Sequence, residues 1–144
     1  MTQVAMDVHQ RHSTLAALNP LTGEIVVRRF LTERNDLARK LADLPRPLMV
    51  AVESSRHSPA MCRWLQAMGA QVRLGNAAEL ARHTQERASK TDSKDAEMML
   101  KLMRLNELPE CYLASEEVGP LSAFMAHFFW ALLARVAAPD SVGP

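Results

Sequence analysis

The residues of this 144-residue sequence whose types and spacing could do chemistry are four carboxylates and a run of cations. Asp7 interrupts the apolar run Val4-Ala5-Met6-Asp7-Val8, and Glu53 ends the most apolar stretch of the chain, Leu48-Met49-Val50-Ala51-Val52-Glu53. An ionised carboxylate is costly to bury unless a cation or hydrogen-bond donors compensate it. The carboxyl ends of strands in α/β sheets are also where sites gather. Asp92 and Asp95 are three residues apart, so on a helix they share a face. Four carboxylates converging from two strands and a helix start would form an oxygen-rich cage for Mg²⁺, with Mn²⁺ as a substitute. Two such ions about 4 Å apart hold the attacking and leaving oxygens of a phosphodiester in line.

Each of these residues also has a plainer reading, and at this level both stand. Asp7 and Glu53 can be exposed strand ends. Asp92 can be the N-cap of a helix, with Asp95 in the capping-box position and both acids favoured by the helix dipole. Arg82, His83, Arg87, Lys90 and Lys94 crowd the segment that leads into Asp92 and Asp95. With the four acids committed to a site, the rest of the chain is net positive and suited to a phosphate backbone. A solvated helix face that also carries Glu79 and Glu86 accounts for the same cations.

Several elements must position these groups. Val4–Val8, Ser13–Leu18 and Glu24–Phe30 read as strands, with the turn residues Asn19-Pro20-Leu21-Thr22-Gly23 between the second and third, which indicates an antiparallel meander. Thr32 is placed to cap a helix whose apolar face is Leu37, Leu41 and Leu44, stopped by Pro45 and Pro47. Leu48–Glu53 reads as a central buried strand. A second helix starts near Ser58, turns Met61, Trp64, Leu65 and Met68 inward, and stops at Gly69. Gln71–Leu74 is a short strand and Ala77–Arg87 a helix, and a loop leads into a last helix over Asp92–Asn106 that buries Ala96, Met99, Leu100 and Met103. Strands feeding alternating helix and strand units imply a mixed α/β sheet with helices packed on it.

Composition bounds the rest. Seventeen basic and 16 acidic residues give a net charge of +1, which excludes a polybasic protein recognised by bulk charge, and 48% hydrophobic residues fit one ordinary domain. Residues 1–118 are evenly mixed. Residues 119–144 carry only Arg135 and Asp140 as charges, yet contain Phe124, Phe128, Phe129 and Trp130. Their apolar stretch Leu121–Ala134 is shorter than the roughly 20 residues of a bilayer span, so no membrane association is expected. With no secretory signal and two widely spaced cysteines, Cys62 and Cys111, the expected setting is the reducing cytoplasm.

Four motifs in order carry a family resemblance: Met6-Asp7-Val8-His9, Val52-Glu53-Ser54-Ser55, Val72-Arg73-Leu74-Gly75-Asn76 and Lys90-Thr91-Asp92-Ser93-Lys94-Asp95-Ala96. Over residues 3–114 the sequence resembles the N-terminal domain of the RuvC-like DEDD transposases of the insertion-sequence one-ten family. The resemblance implies a ribonuclease H-like fold, a mixed five-stranded sheet with flanking helices. It implies Asp7, Glu53, Asp92 and Asp95 as the metal-binding catalytic acids. The implied activity is DNA transposition by recombination, with DNA, in some members an element-encoded guide RNA, and further transposase subunits as partners. Arg82, Arg87, Lys90 and Lys94 are then candidate nucleic-acid contacts.

Members of that family continue into a second domain bearing a serine nucleophile. Ser54, Ser55 and Ser115 do not match its position, and Gln10 stands where a lysine is common. The expectation is therefore a truncated or frameshifted transposase, its tail at 119–144 marking the divergence, not fully active alone. The alternative is a non-catalytic remnant that binds nucleic acid or associates with a full-length transposase.

Overall fold

Residues 1–85 and 91–111 are described by the structure, a computed structural model, with Thr84, Gln85 and Asp92 described in their backbone alone. The chain opens as the expected meander: β1 (Thr2–Asp7), β2 (His12–Leu18) and β3 (Ile25–Leu31), antiparallel throughout. The β2–β3 turn is built by Asn19, whose side-chain oxygen accepts from the Leu21 and Thr22 amides, and by Gly23 at φ 75°, a left-handed conformation that glycine adopts without penalty. Helix α1 (Arg34–Leu41) leads to β4 (Leu48–Glu53), α2 (Ser58–Ala67), β5 (Gln71–Gly75), α3 (Ala77–Gln85) and α4 (Asp92–Arg104). The sheet order is β3-β2-β1-β4-β5, with β1, β4 and β5 parallel. This mixed five-stranded sheet with flanking helices is the ribonuclease H-like α/β arrangement.

Alternation along the strands sends side chains to two differently built faces. On one, Val4, Met6, Leu15, Val50 and Val52 meet Leu37 and Leu41 of α1 and Met61 and Leu65 of α2. On the other, Ala5 pairs with Ala16 on one side and Ala51 on the other, a row of three alanines across the central strands. Against that row lie Ala96, Met99, Leu100 and Met103 of α4 and Leu80 of α3. Methyl side chains on the sheet leave room for the helix backbone to come close, and the larger helix residues fill what remains.

Two expectations about helix ends are corrected. Thr32 does not cap α1: the N-cap is Glu33, which makes no side-chain capping bond. The Thr32 hydroxyl instead donates to the His9 carbonyl at 2.7 Å and contacts the Ser13 hydroxyl at 2.7 Å, because the β2–β3 ladder brings it there. Helix α1 also ends at Leu41. Leu44 follows it on a turn and packs at the edge of the core. By contrast, α2 starts at Ser58 and Gly69 terminates it at φ 78°, as the sequence implies.

Candidate functional site

The last pair in the parallel β1–β4 ladder is Met6 with Val52, so the next residues, Asp7 and Glu53, stand side by side at the ends of neighbouring strands. By the same alternation both point to the alanine face, where α4 lies. Asp7 is only 5% exposed, and Glu53 is half-buried. An exposed strand end therefore does not describe Asp7. His9 compensates part of its charge, with Nε2 2.9 Å from Asp7 Oδ2. His9 escaped the sequence reading as a site residue; the available signal was its position two after Asp7, which puts both on one side of an extended chain.

Helix α4 supplies the second pair of acids, and its start differs from the simpler expectation. The N-cap is Thr91, in extended backbone at φ −132° and ψ 155°, and its hydroxyl accepts from the Lys94 amide at 3.3 Å. Asp92 is thus the first helical residue rather than the cap, and the capping-box position falls on Lys94 rather than Asp95. Asp95 follows in the first turn, beside Ala96, and is 7% exposed, a carboxylate held on the side of α4 that faces the sheet.

Asp7, Glu53 and Asp95 therefore share one face of the fold. Carboxylate oxygens are the donor set that hard divalent cations prefer, and the three residues fit Mg²⁺ in type. Among the described residues no three His, Cys, Asp or Glu side chains close on a single point in this structure. The Asp92 side chain lies outside them.

The loop after Glu53 is locally satisfied. Ser54 Oγ accepts from the Ala77 amide at 3.0 Å at the start of α3, and Ser58 Oγ donates to the Ser55 carbonyl at 2.7 Å. These hydroxyls tie β4 to the helices that follow it. Gly75, paired with Glu53, is closely packed: a Cβ there would sit 2.8 Å from the end of the Leu80 side chain, which would have to shift. Of the candidate nucleic-acid contacts, Arg82 is exposed on the last turn of α3 and Lys94 is exposed on the first turn of α4. Arg87 and Lys90 lie outside the described residues, as does the segment 119–144. Both cysteines are free thiols, and burial pushes Cys62 up to about 11. Among the described residues no helix is long and apolar enough to cross a membrane.

Fold and strand-end acids together define a ribonuclease H-like domain of the carboxylate-bearing kind. A model of the DEDD transposase family of IS110 type, described as Transposase, matches residues 4–129, and the chain belongs to that family. The matched span contains all four acids and runs on into the aromatic segment. No match to a curated protein was found.

Proposed function

We propose that this chain provides the metal-dependent DEDD half of a transposase active site, acting on the phosphodiester backbone during DNA transposition. The observation that carries the reading is the adjacency of Asp7 and Glu53 at two parallel strand ends, on the face where α4 holds Asp95 buried. Asp7, Glu53, Asp92 and Asp95 would hold the divalent ion. When bound, Mg²⁺ stabilises the charge that develops on the phosphodiester oxygens. The protein's own contribution is orientation. His9 holds one oxygen of Asp7, and the Thr91 cap fixes where α4 begins and so where Asp92 and Asp95 fall. Arg82, Arg87, Lys90 and Lys94 would attract the polyanion beside the acids. DNA is the expected substrate, with a guide RNA and other transposase subunits as further partners.

Clustered carboxylates repel one another, and a bound cation relieves that repulsion, so it stabilises the folded state. Millimolar Mg²⁺ or Mn²⁺ should raise the melting temperature of the chain by several degrees, while Asp7→Asn combined with Asp92→Asn abolishes the gain. Equal melting curves with and without metal in the unaltered protein would sink this reading.

A further inference from the structure

The hydrogen bonds around His9 close on themselves. His9, Gln10 and Arg11, in the connection from β1 to β2, are exposed, and an exposed loop is ordinarily the more mobile part of a fold. Here the His9 amide donates to Ser13 Oγ at 3.3 Å, and the Thr32 hydroxyl donates to the His9 carbonyl at 2.7 Å. The two hydroxyls are themselves 2.7 Å apart. A hydroxyl has a single proton to give. Thr32 gives its proton to His9, so the bond between the hydroxyls runs from Ser13 to Thr32. The ring then has one direction: His9 amide to Ser13, Ser13 to Thr32, Thr32 back to the His9 carbonyl. Each hydroxyl accepts one bond and donates one, the arrangement in which successive hydrogen bonds strengthen each other.

The ring is anchored in the core. Ser13 is 1% exposed and lies on the face of β2 that carries Leu15 and Ala17, turned toward α1 and α2. The β2–β3 ladder pairs His12 with Leu31 and runs one bond further, from the Thr32 amide to the Arg11 carbonyl at 2.9 Å. Asp7 points to the opposite, alanine face, and the His9 imidazole meets it there, with Nε2 2.9 Å from Oδ2. The His9 peptide is thus held from one side of the sheet while its side chain serves the other. An ionised carboxylate only accepts, so Nε2 carries the proton and donates. Holding Oδ2 limits rotation of the carboxylate and so sets the direction of Oδ1, the role of an outer partner to a metal-binding acid.

We propose that Ser13 and Thr32 are positioning residues for the carboxylate site, acting through His9 on the orientation of Asp7. This rests on the reading of Asp7 and its fellow acids as a divalent-cation site, and it adds two residues that carry no charge. The order of action is hydroxyl to peptide, imidazole to carboxylate, carboxylate to cation. The same commitment accounts for the start of α1. Thr32 is placed in sequence to cap that helix, but its hydroxyl is taken up at His9, and Glu33 stands at the N-cap with no side-chain capping bond.

The test is a double-mutant cycle on the Mn²⁺ affinity of the full chain, read from the electron paramagnetic resonance of the free ion, with urea unfolding showing that each variant folds. Thr32→Val keeps the branched shape, removes the proton donor and should weaken Mn²⁺ binding about tenfold. Ser13→Ala, which opens the ring at its other hydroxyl, should do the same. Thr32→Ser keeps the proton and should bind within about twofold of the unaltered chain. His9→Ala should weaken binding by about tenfold as well, and adding Thr32→Val to it should cause no further loss, because no imidazole is left to place. Additive losses, or unaltered affinity in Thr32→Val and Ser13→Ala, would overturn the proposal. A readout without metal separates the ring from the acids: the His9 amide should exchange with solvent about tenfold more slowly in the unaltered chain than in Thr32→Val. Equal exchange rates overturn the ring even where Mn²⁺ binds. Slow exchange in a chain that binds no Mn²⁺ overturns the reading of the acids, and the positioning role with it.

Discussion

The two faces of the sheet are made of different stuff. Toward α1 and α2 the strands present Val4, Met6, Leu15, Val50 and Val52, and the helices answer with leucine and methionine. Toward α4 the same strands present Ala5, Ala16 and Ala51, and the bulk is on the helix. Both layers exclude water, and the alanine face carries Asp7, Glu53 and the buried Asp95 at its margin. Large side chains meeting large side chains bury the most apolar area, about 1.5–3 kcal/mol for each fully buried leucine or methionine. Small side chains under a helix give up some of that area and set the helix close to the sheet. The first layer chiefly holds the fold, and the second chiefly holds the helix that carries Asp95.

Substitutions on either side should separate those tasks. Leu65→Ala, on the α2 face and fully buried, should cost about 2–5 kcal/mol in denaturant unfolding, while the folded fraction keeps its melting response to Mg²⁺. Ala51→Leu, under α4, should cost less, about 1–3 kcal/mol, but should shrink the Mg²⁺ response out of proportion because it lifts the helix that bears Asp95. If both variants lose stability and metal response in the same ratio, the division of labour is wrong. Thr91→Ala removes the α4 cap and should cost about 1 kcal/mol, whereas Thr91→Ser should be nearly silent in the same thermal melts.

The smallest effect is expected at the β3–α1 clamp. The Arg28 guanidinium holds the Asp43 carboxyl below the usual carboxylate range. A lowered folded-state pKa contributes stability that is present above the ordinary value near 4 and is lost as pH falls through the lowered one. The pair is exposed, so the amount is a few tenths of a kcal/mol. Asp43→Asn should therefore leave stability nearly unchanged in strong acid and lower it slightly at pH 7, as read from urea midpoints at the two pH values.

Local signals were legible in the sequence wherever neighbours along the chain decide the outcome. Strand β4 is bounded as read, since the prolines before it and the acid that ends it are sharp punctuation. Gly69 stops α2 for the same local reason. The Thr91-Asp92-Ser93 run was ambiguous because all three residue types cap well, and only the extended backbone at Thr91 selects it. Thr32 is a good cap by type, but strand pairing draws its hydroxyl to His9 and Ser13. The alignment of Glu53, Asp7, Thr14 and Arg29 across four paired strands was invisible for a stronger reason. It exists only once four strands have taken their registers, and a shift of one residue in any of them turns a side chain to the opposite face.

Strand β3 has a further consequence, for solubility. Among the described residues its outer side has no partner strand, and Ile25, Val26, Val27, Phe30 and Leu31 would form a nearly continuous β-prone apolar segment. Such a segment on an open edge is a template for adding strands from other molecules. Arg28 and Arg29 sit in its middle, charge that a second copy could not bury. The two arginines, one on each face of the strand, thus act as gatekeepers against self-assembly. Neutralising both should produce a chain that fails first by precipitation.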